Sequence, residues 1–152
     1  MISFEKLLTK AAKYCAFQER CSSDLEEKLK LWGAAKDDAQ KVIDQMIHEN
    51  YIDHQRFASA FVRGKFNNNK WGKNKISMEL KMRKIDEEMI AIALKEIDQS
   101  EYLNTLEKLA KNKDQQLKTN DTAKKKQKIF RYLNGKGYEE DLINKTIENI
   151  NS

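Results

Sequence analysis

Apolar residues recur along the chain at intervals of three and four, which is the spacing that places side chains on one face of an α-helix. The first predicted helix follows Ser3, a residue type that caps helix N-termini. Its apolar face comprises Phe4, Leu7, Leu8, Ala11, Ala12 and Cys15. A break at Gln18–Cys21 precedes a second helix, in which Ser23 and Glu26 have the spacing of a capping box and Gly33 marks the end.

The same pattern continues to the end of the chain. Residues suited to open the following helices are Asp37 or Asp38, Asp53, Asp86 and Ser100. Two connections are polar: an asparagine-rich turn at 67–69, and a lysine-rich segment that leads to Ile129. The stretch 135–137 is predicted to stop the eighth helix, and a final helix follows it with Leu142, Ile143, Ile147 and Ile150.

The second helix of each group of three aligns with the other two. Equivalent positions are Leu25, Ile76 and Ile129, then Leu29, Leu80 and Leu133, and then Gly33, Lys84 and Gly137. We therefore predict an all-α fold of three tandem three-helix repeats, spanning residues 1–50, 51–98 and 99–152. Because contacts in such a chain are mostly local, we expect an elongated molecule.

Composition supports a helical class. The 152 residues include no proline and only five glycines, which disfavours the turn-rich sandwiches and barrels. No apolar run approaches the roughly 18 residues of a membrane span, and the N-terminal segment lacks the pattern of a secretory leader. We expect a soluble cytoplasmic protein that acts as a monomer.

Residues suited to catalysis or metal binding are sparse. Cys15 and Cys21 are expected to be reduced buried thiols, and His48 and His54 are spaced so that they do not share a helical face. The sequence contains neither a phosphate-binding loop nor a zinc-protease motif. We therefore predict no metal, no cofactor and no enzymatic activity.

Positive charge is concentrated in the last two thirds of the chain. Residues 1–54 carry a net charge of −2, residues 55–98 of +4 and residues 99–152 of +3. Glu79 is the one acidic residue among eight basic ones between Arg63 and Lys84. Asp121 is the one acidic residue among seven basic ones between Lys118 and Lys136. Such an excess predicts an anionic partner, either nucleic acid or an acidic protein surface.

Each basic stretch also has an ordinary structural interpretation. A charged run can be a solvated helix face, and the aromatic residues Phe61, Phe66 and Trp71 can belong to the core rather than to a base-stacking surface. The segment around Asp53 and Arg56 can likewise form the junction between the first two repeats, with Arg56 paired to Asp53 or facing a partner.

The middle of the chain resembles the RecX family of bacterial RecA modulators. The family pattern G-Y-L-D-D-x-R-F-A reads N-Y-I-D-H-Q-R-F-A at 50–58, and G-x-x-x-I-x-x-E-L occurs at 72–80. An earlier element of the pattern matches Ser22, Leu25, Leu29 and Gly33. Asn50 and Lys84 stand where the family pattern has glycine, and His54 replaces an acidic residue.

This resemblance implies a curved array of three three-helix repeats. It also implies binding to RecA–single-stranded DNA filaments, with inhibition of filament growth, of ATP hydrolysis and of recombination. A basic helical protein that binds single- or double-stranded DNA through its phosphates remains one alternative, and a helical scaffold for another acidic protein remains a second. The residues we expect to contact RecA or DNA are Arg56, Arg63, Lys65, Lys70, Lys73, Lys75, Arg83, Lys84, Lys124, Lys125, Lys126, Lys128 and Arg131.

Overall fold

A computed structural model describes residues 2–151, and this part of the chain forms nine α-helices and no strand. The helices are α1 (Phe4–Phe17), α2 (Ser22–Leu31), α3 (Lys36–His48), α4 (His54–Asn69), α5 (Lys73–Met82), α6 (Glu87–Lys95), α7 (Gln99–Gln116), α8 (Thr122–Gly135) and α9 (Glu140–Ile150). The predicted all-α class is confirmed.

Two of the predicted helix caps are present. The Ser3 hydroxyl accepts a hydrogen bond from the Lys6 amide at 3.3 Å, and the Asp53 carboxylate accepts one from the Arg56 amide at 2.9 Å. Each bond satisfies an amide that the first turn of a helix leaves without a backbone partner. These two residues therefore determine where α1 and α4 begin.

Three other predicted helix starts were wrong by one or two residues. The residue before α2 is Cys21 rather than Ser23, and the Asp24 carboxylate accepts from the Cys21 amide at 3.4 Å. In α3, Asp37 and Asp38 lie in the first turn, where their negative charge interacts favourably with the helix dipole. Neither side chain caps the helix. The cap of α7 is Asp98 instead of Ser100, and it accepts from the amide of residue 101 at 3.0 Å.

Two segments predicted as connections are helical. The asparagines 67–69 form the last turn of α4, which ends where Lys70 adopts a left-handed conformation with φ of 59°. The lysine-rich segment 124–128 lies inside α8, because Asp121 caps that helix by accepting from the Lys124 amide at 3.3 Å. The lysines of α8 are therefore held at helical spacing rather than on a loop.

The three aligned positions after α2, α5 and α8 share one backbone conformation. Gly33, Lys84 and Gly137 have φ values of 80°, 62° and 98°, and Asn50 has a φ of 65°. The left-handed region favours glycine because a Cβ there meets the following carbonyl. This explains why the family pattern has glycine where this chain has Asn50 and Lys84.

The chain divides into two compact units. Unit 1 comprises the residues up to Ala60 together with Leu80–Ile90. Its helices α1, α2 and α3 pack pairwise. Their shared core comprises Leu7, Ala11, Cys15, Leu25, Leu29, Val42, Ile43, Met46 and Ile52.

Unit 2 comprises Phe61–Glu79 together with the residues from Ala91 onward. Its helices α7, α8 and α9 pack pairwise. Buried side chains in this unit include Phe66, Ile76, Tyr102, Leu106, Ile129, Leu133, Tyr138, Ile143 and Ile147. Two of the largest are tyrosines, and the hydroxyl groups of both are used to join the helices of unit 2.

Candidate anion-binding surface

In unit 2, the start of α5 meets the end of α8 at a glycine contact. The Gly72 amide donates to the Lys136 carbonyl at 2.8 Å, and the Asn74 amide donates to the Gly137 carbonyl at 2.9 Å. A Cβ atom on Gly72 would collide with the Gly137 backbone, and one on Gly137 would collide with Lys75. Only glycine permits this approach, which brings Lys136 beside the basic segment 70–75.

Two buried tyrosines reinforce the same contact. The Tyr102 hydroxyl donates to the Glu139 carboxylate and accepts from the Lys73 amide, which lies 2.9 Å away. The Tyr138 hydroxyl donates to the Lys70 carbonyl at 2.8 Å. Burial raises the pKa of both tyrosines, so their hydroxyls remain protonated donors at neutral pH.

Lysine ammonium groups flank the half-buried ring of Trp71 in unit 2. The Nζ atoms of Lys65 and Lys75 lie 4.8 Å and 4.4 Å from the centroid of the ring. Phe61 supports the indole in an edge-on contact, with 6.5 Å between ring centroids. These four residues are called the Trp71 cluster below, and their contacts hold two positive charges close to one ring.

Three more lysines surround the Trp71 cluster, and each is held by a neutral group. Lys70 donates to the carbonyl of residue 67 at 2.8 Å. Lys136 donates to the carbonyl of residue 69 at 3.0 Å. The Nζ atom of Lys73 lies 4.8 Å from the centroid of the Tyr102 ring. Because these groups are neutral, they position the ammonium ions without cancelling their charge.

Lys136 was not among the residues expected from the sequence to contact a partner. It follows the lysine-rich part of α8 and comes close to residues 69–72 only through the glycine contact. The repeat alignment carried a usable signal, because it pairs Gly137 with the other left-handed helix ends. That alignment does not indicate, however, that the start of α5 touches the end of α8.

Helix α8 presents a second set of basic side chains. Lys124, Lys128 and Arg131 are exposed and recur at i, i+4 and i+7, so they form one ridge along the helix. We call these three residues the α8 ridge. Lys125 lies elsewhere, with its ammonium group 3.8 Å from the Asp114 carboxylate. Lys126 faces the groove between α8 and α9.

Tyr132 lies between the α8 ridge and the end of the helix. The Nζ atoms of Lys113 and Lys136 lie 5.0 Å and 5.9 Å from the centroid of its ring. Lys128 and Arg131 line the same shallow groove against α7. Lys128, Arg131 and Lys136 therefore belong to one basic surface of unit 2.

Arg56 is engaged inside unit 1. Its Nε donates to the Glu19 carboxylate at 2.6 Å, and its Nη2 donates to the carbonyls of Asn50 and Tyr51 at 3.1 Å and 3.2 Å. This fork fastens the segment before α4 to the loop after α1. The expected pairing of the Arg56 side chain with Asp53 is wrong, because the guanidinium engages Glu19, whereas the Asp53 carboxylate accepts from the Arg56 amide.

Arg63 lies apart from the Trp71 cluster within unit 2. It is two residues from Lys65 on α4, which places the two side chains on nearly opposite faces of the helix. Arg63 lines a shallow cleft that also contains Glu96, Asp98 and Glu101. An acidic setting of this kind is poorly suited to an anionic partner.

Arg83 and Lys84 follow the end of α5 in unit 1. The Arg83 carbonyl accepts a hydrogen bond from the Ser23 hydroxyl at 2.9 Å. The Ser22 amide lies 3.2 Å from Nε2 of His54, so the start of α2 is held by groups from two later segments. Lys84 is exposed beyond this contact.

The thiols lie in apolar surroundings. Burial raises the pKa of Cys15, and it raises the pKa of Cys21 to about 11. Within residues 2–151, no group of three or more histidine, cysteine, aspartate or glutamate side chains is arranged to hold a metal ion. No helix in that range is long and apolar enough to cross a membrane.

Comparison with known proteins identifies the family. The models of the second and third three-helix domains of RecX match residues 53–94 and 100–147. The regulatory protein RecX of Acinetobacter baylyi is 29% identical over 149 residues, covering 98% of this chain and 91% of the relative. That of Bacillus cytotoxicus is 25% identical over 146 residues, covering 96% of this chain, which spans only 54% of the relative's length.

Solved structures agree on the fold. The crystal structure of RecX from Lactobacillus salivarius superposes with a TM-score of 0.84 at 23% identity, covering 97% of this chain and 96% of that one. Another RecX crystal structure also has a TM-score of 0.84, at 22% identity, covering 91% of this chain and 68% of that one. The order of the helices, the two matched domains and the relatives agree, and the chain belongs to the RecX family.

Proposed function

We propose that this protein binds RecA–single-stranded DNA filaments and inhibits their growth, which lowers ATP hydrolysis and strand exchange by RecA. Its relatives carry the name regulatory protein RecX, which supports a regulatory role. The motif at 50–58 supports RecA as the partner, through the resemblance described above. The protein acts by binding and catalyses no reaction of its own.

The basic surface of unit 2 is the observation that carries the proposal. Lys65 and Lys75 are already placed over Trp71 before any partner binds. Ordering a free lysine side chain costs up to about 2 kcal/mol, and part of that cost is met within the folded chain. A prearranged set of ammonium groups suits an acidic protein face or exposed phosphate.

The chemistry of the remaining polar groups supports a binding protein rather than an enzyme. The thiols of Cys15 and Cys21 have raised pKa values, so at neutral pH they are protonated and weakly nucleophilic. The hydroxyls of Tyr102 and Tyr138 are used in hydrogen bonds to other segments of unit 2.

The second candidate function is direct DNA binding, which the α8 ridge supports. Three exposed cations at helical spacing can follow a phosphate backbone. That function predicts tight binding to bare DNA, with a slope of log affinity against log salt near −0.9 for each phosphate neutralised. Titration of a labelled oligonucleotide at two salt concentrations measures it, and weak binding near physiological salt excludes it as the main activity.

A charge-reversal experiment tests the favoured function. Each contact of about 1 kcal/mol becomes a repulsion of similar size, so reversing Lys65 and Lys75 to glutamate removes roughly 4 kcal/mol of interaction. We expect the apparent affinity for RecA filaments to fall by at least about a hundredfold. The matched control reverses Lys13 and Lys41, which are exposed on α1 and α3. Equal inhibition by both variants would show that the Trp71 cluster is not part of the binding surface.

A further inference from the structure

Unit 1 carries a cluster of aromatic rings and cations in the first third of the chain. Residues 1–54 have a net charge of −2, so charge alone gave no reason to expect an anion-binding surface there. The cluster lies outside residues 53–94 and 100–147, which the RecX domain models match, and the proposed function assigns it no ligand. We call it the Tyr14 cluster, and its members are Lys10, Tyr14, Phe17, Arg20, Lys28 and Trp32.

Helical spacing and the packing of α1 against α2 bring these residues together. Lys10, Tyr14 and Phe17 recur at i, i+4 and i+7 on α1. Lys28 and Trp32 are four residues apart at the end of α2. The rings of Tyr14 and Trp32 meet edge to face with 6.1 Å between centroids, and the Nζ atom of Lys10 lies 5.3 Å from the Trp32 centroid.

Arg20, in the loop between the two helices, is fixed at the edge of the cluster. Its guanidinium carbon lies 3.8 Å from the Tyr14 centroid and 6.0 Å from the Phe17 centroid. Its Nε donates to the Tyr14 carbonyl at 3.1 Å. The Nζ atom of Lys28 lies 5.6 Å from the same Tyr14 ring. Because the rings and the carbonyl are neutral, they position these cations without cancelling their charge.

The two carboxylates close to Arg20 in the sequence are engaged inside unit 1. The Glu19 carboxylate accepts from Nε of Arg56 at 2.6 Å. The Asp24 carboxylate accepts from the Cys21 amide at 3.4 Å. The Tyr14 cluster itself contains three cations and no acidic residue, so it suits an anionic ligand.

The exposure of Phe17 indicates what kind of anion fits. Phe17 is the last residue of α1 and is 82% exposed, so it presents a flat apolar ring beside the Arg20 guanidinium. Single-stranded nucleic acid offers a flat base and a negative phosphate in every unit, which matches a ring next to a cation. A protein helix needs a continuous apolar stripe, whereas the group beside Phe17 is charged.

We propose that the Tyr14 cluster binds single-stranded nucleic acid, with a base stacked on Phe17 and phosphates near Arg20 and Lys28. The inference goes beyond the proposed function, because it assigns base stacking to unit 1, whereas the basic surface described for RecA filaments and for phosphate contact lies in unit 2. It concerns bare nucleic acid, so it holds or fails whether or not RecA is the partner.

Two oligonucleotides with equal numbers of phosphates separate base stacking from phosphate contact. The probes are a fluorescein-labelled oligothymidylate of about 12 nucleotides and an abasic strand of the same length. Fluorescence anisotropy with the full chain should show that the oligothymidylate binds more tightly by about fivefold or more, because one base stacked on an aromatic side chain contributes at least that factor.

Substitutions at Phe17 assign this preference to its ring. Phe17→Leu keeps an apolar side chain but removes the ring, so it should weaken oligothymidylate binding by about fivefold or more. Binding of the abasic strand should stay within about twofold. Phe17→Trp keeps a flat ring and should retain the affinity for oligothymidylate. Because Phe17 is exposed, these changes spare the core, and circular dichroism verifies that the helices are intact.

Leu31→Ala is the matched control, because Leu31 is 78% exposed at the end of α2 but has no ring. It should leave the affinity for both strands within about twofold. Equal affinity for the two strands would overturn the proposal and favour an acidic protein face as the ligand of these cations. Absence of saturable oligothymidylate binding would overturn it as well. A preference for bases that persists in Phe17→Leu, or that Leu31→Ala lowers equally, would also exclude stacking on Phe17.

Discussion

Removing one hydroxyl group from the core of unit 2 should weaken the contact that supports the basic surface. Tyr102 is fully buried, and its hydroxyl joins three segments by donating to Glu139 and accepting from the Lys73 amide. Tyr102→Phe keeps the ring and its packing against Phe66 and Tyr138, whose centroids lie 5.8 Å and 5.2 Å away. The substitution therefore isolates the two hydrogen bonds.

The expected loss follows from these two bonds. A neutral hydrogen bond contributes about 1 kcal/mol and one to a charged group about 1.5 to 3 kcal/mol. Glu139 is half-exposed, so water can replace part of the hydrogen bonding that its carboxylate loses when the Tyr102 hydroxyl is removed. We expect the free energy of unfolding to fall by about 2 kcal/mol, and the melting temperature to fall by roughly 4 to 8 °C.

Urea denaturation measures this loss. The chain has two tryptophans, Trp32 and Trp71, so a Trp32→Phe background confines the fluorescence signal to unit 2. Tyr138→Phe is the control, because its hydroxyl makes one bond to the Lys70 carbonyl at 2.8 Å and its loss should cost about 1 kcal/mol. If Tyr102→Phe lowers the free energy of unfolding no more than Tyr138→Phe does, with unchanged dependence on urea in both, the hydrogen bond to Glu139 does not stabilise unit 2.

Three further predictions concern backbone conformation, close packing and the thiols. Lys84→Gly should raise the free energy of unfolding by about 1 kcal/mol, because φ is 62° at that position. In urea melts, Lys81→Gly inside α5 should lower that free energy instead. If both variants lower it, Lys84 is not strained. Gly72→Ala should destabilise unit 2 by more than about 3 kcal/mol, because the new Cβ meets the Gly137 backbone. The Cβ of Gly64→Ala meets nothing within 4 Å, so this variant should raise the free energy of unfolding by about 0.5 to 1 kcal/mol. Similar melts for the two variants would exclude the close contact. Cys21, with a pKa raised from 9.0 to about 11, should react with Ellman's reagent at pH 8 only after urea unfolds the chain. Since the folded state holds the Cys21 proton more tightly than the unfolded state, the protonated thiol makes its full contribution to stability below pH 9.0, and this contribution is lost as pH rises through about 11. A Cys21→Ala variant that loses stability as steeply over this range would contradict a raised pKa for Cys21.

The repeat architecture could be predicted from the sequence because helical periodicity and helix-ending residues are local signals. Aligning Gly33, Lys84 and Gly137 identified three positions that share a left-handed backbone. The positions of connections were less certain, since polar residues suit both loops and exposed helix turns. For this reason the lysines of α8 and the asparagines that end α4 were predicted as connections, although both are helical.

The candidate site could be predicted only in part, because tertiary contacts decide which charges remain available. Lys65 and Lys75 were expected to contact a partner, and the structure places both over Trp71. Arg56 was also expected to contact a partner, yet the carboxylate that engages it is Glu19, which lies 37 residues away in the sequence. Lys136 shows the converse, since its proximity to residue 69 depends on a contact across 67 residues.

The aromatic residues show why composition alone does not distinguish core from surface. Phe66 is buried and packs against Tyr102, as the core interpretation expected. Trp71 is only half-buried, and two ammonium groups approach its ring. Both residues lie within the same basic stretch of the sequence. The difference arises from the turn at Lys70, after which the chain leaves the axis of α4.

The rate of ATP hydrolysis by RecA on single-stranded DNA, followed while this protein is added, tests most directly whether the protein inhibits RecA filaments. DNA sites are kept in excess, so that covering DNA cannot imitate inhibition. We expect hydrolysis to fall at well below one molecule per RecA. The Lys65→Glu, Lys75→Glu double variant should lose this effect, and the Lys13→Glu, Lys41→Glu control should retain it. Hydrolysis that stays unchanged until the DNA itself is saturated would exclude inhibition of RecA filaments and favour direct DNA binding.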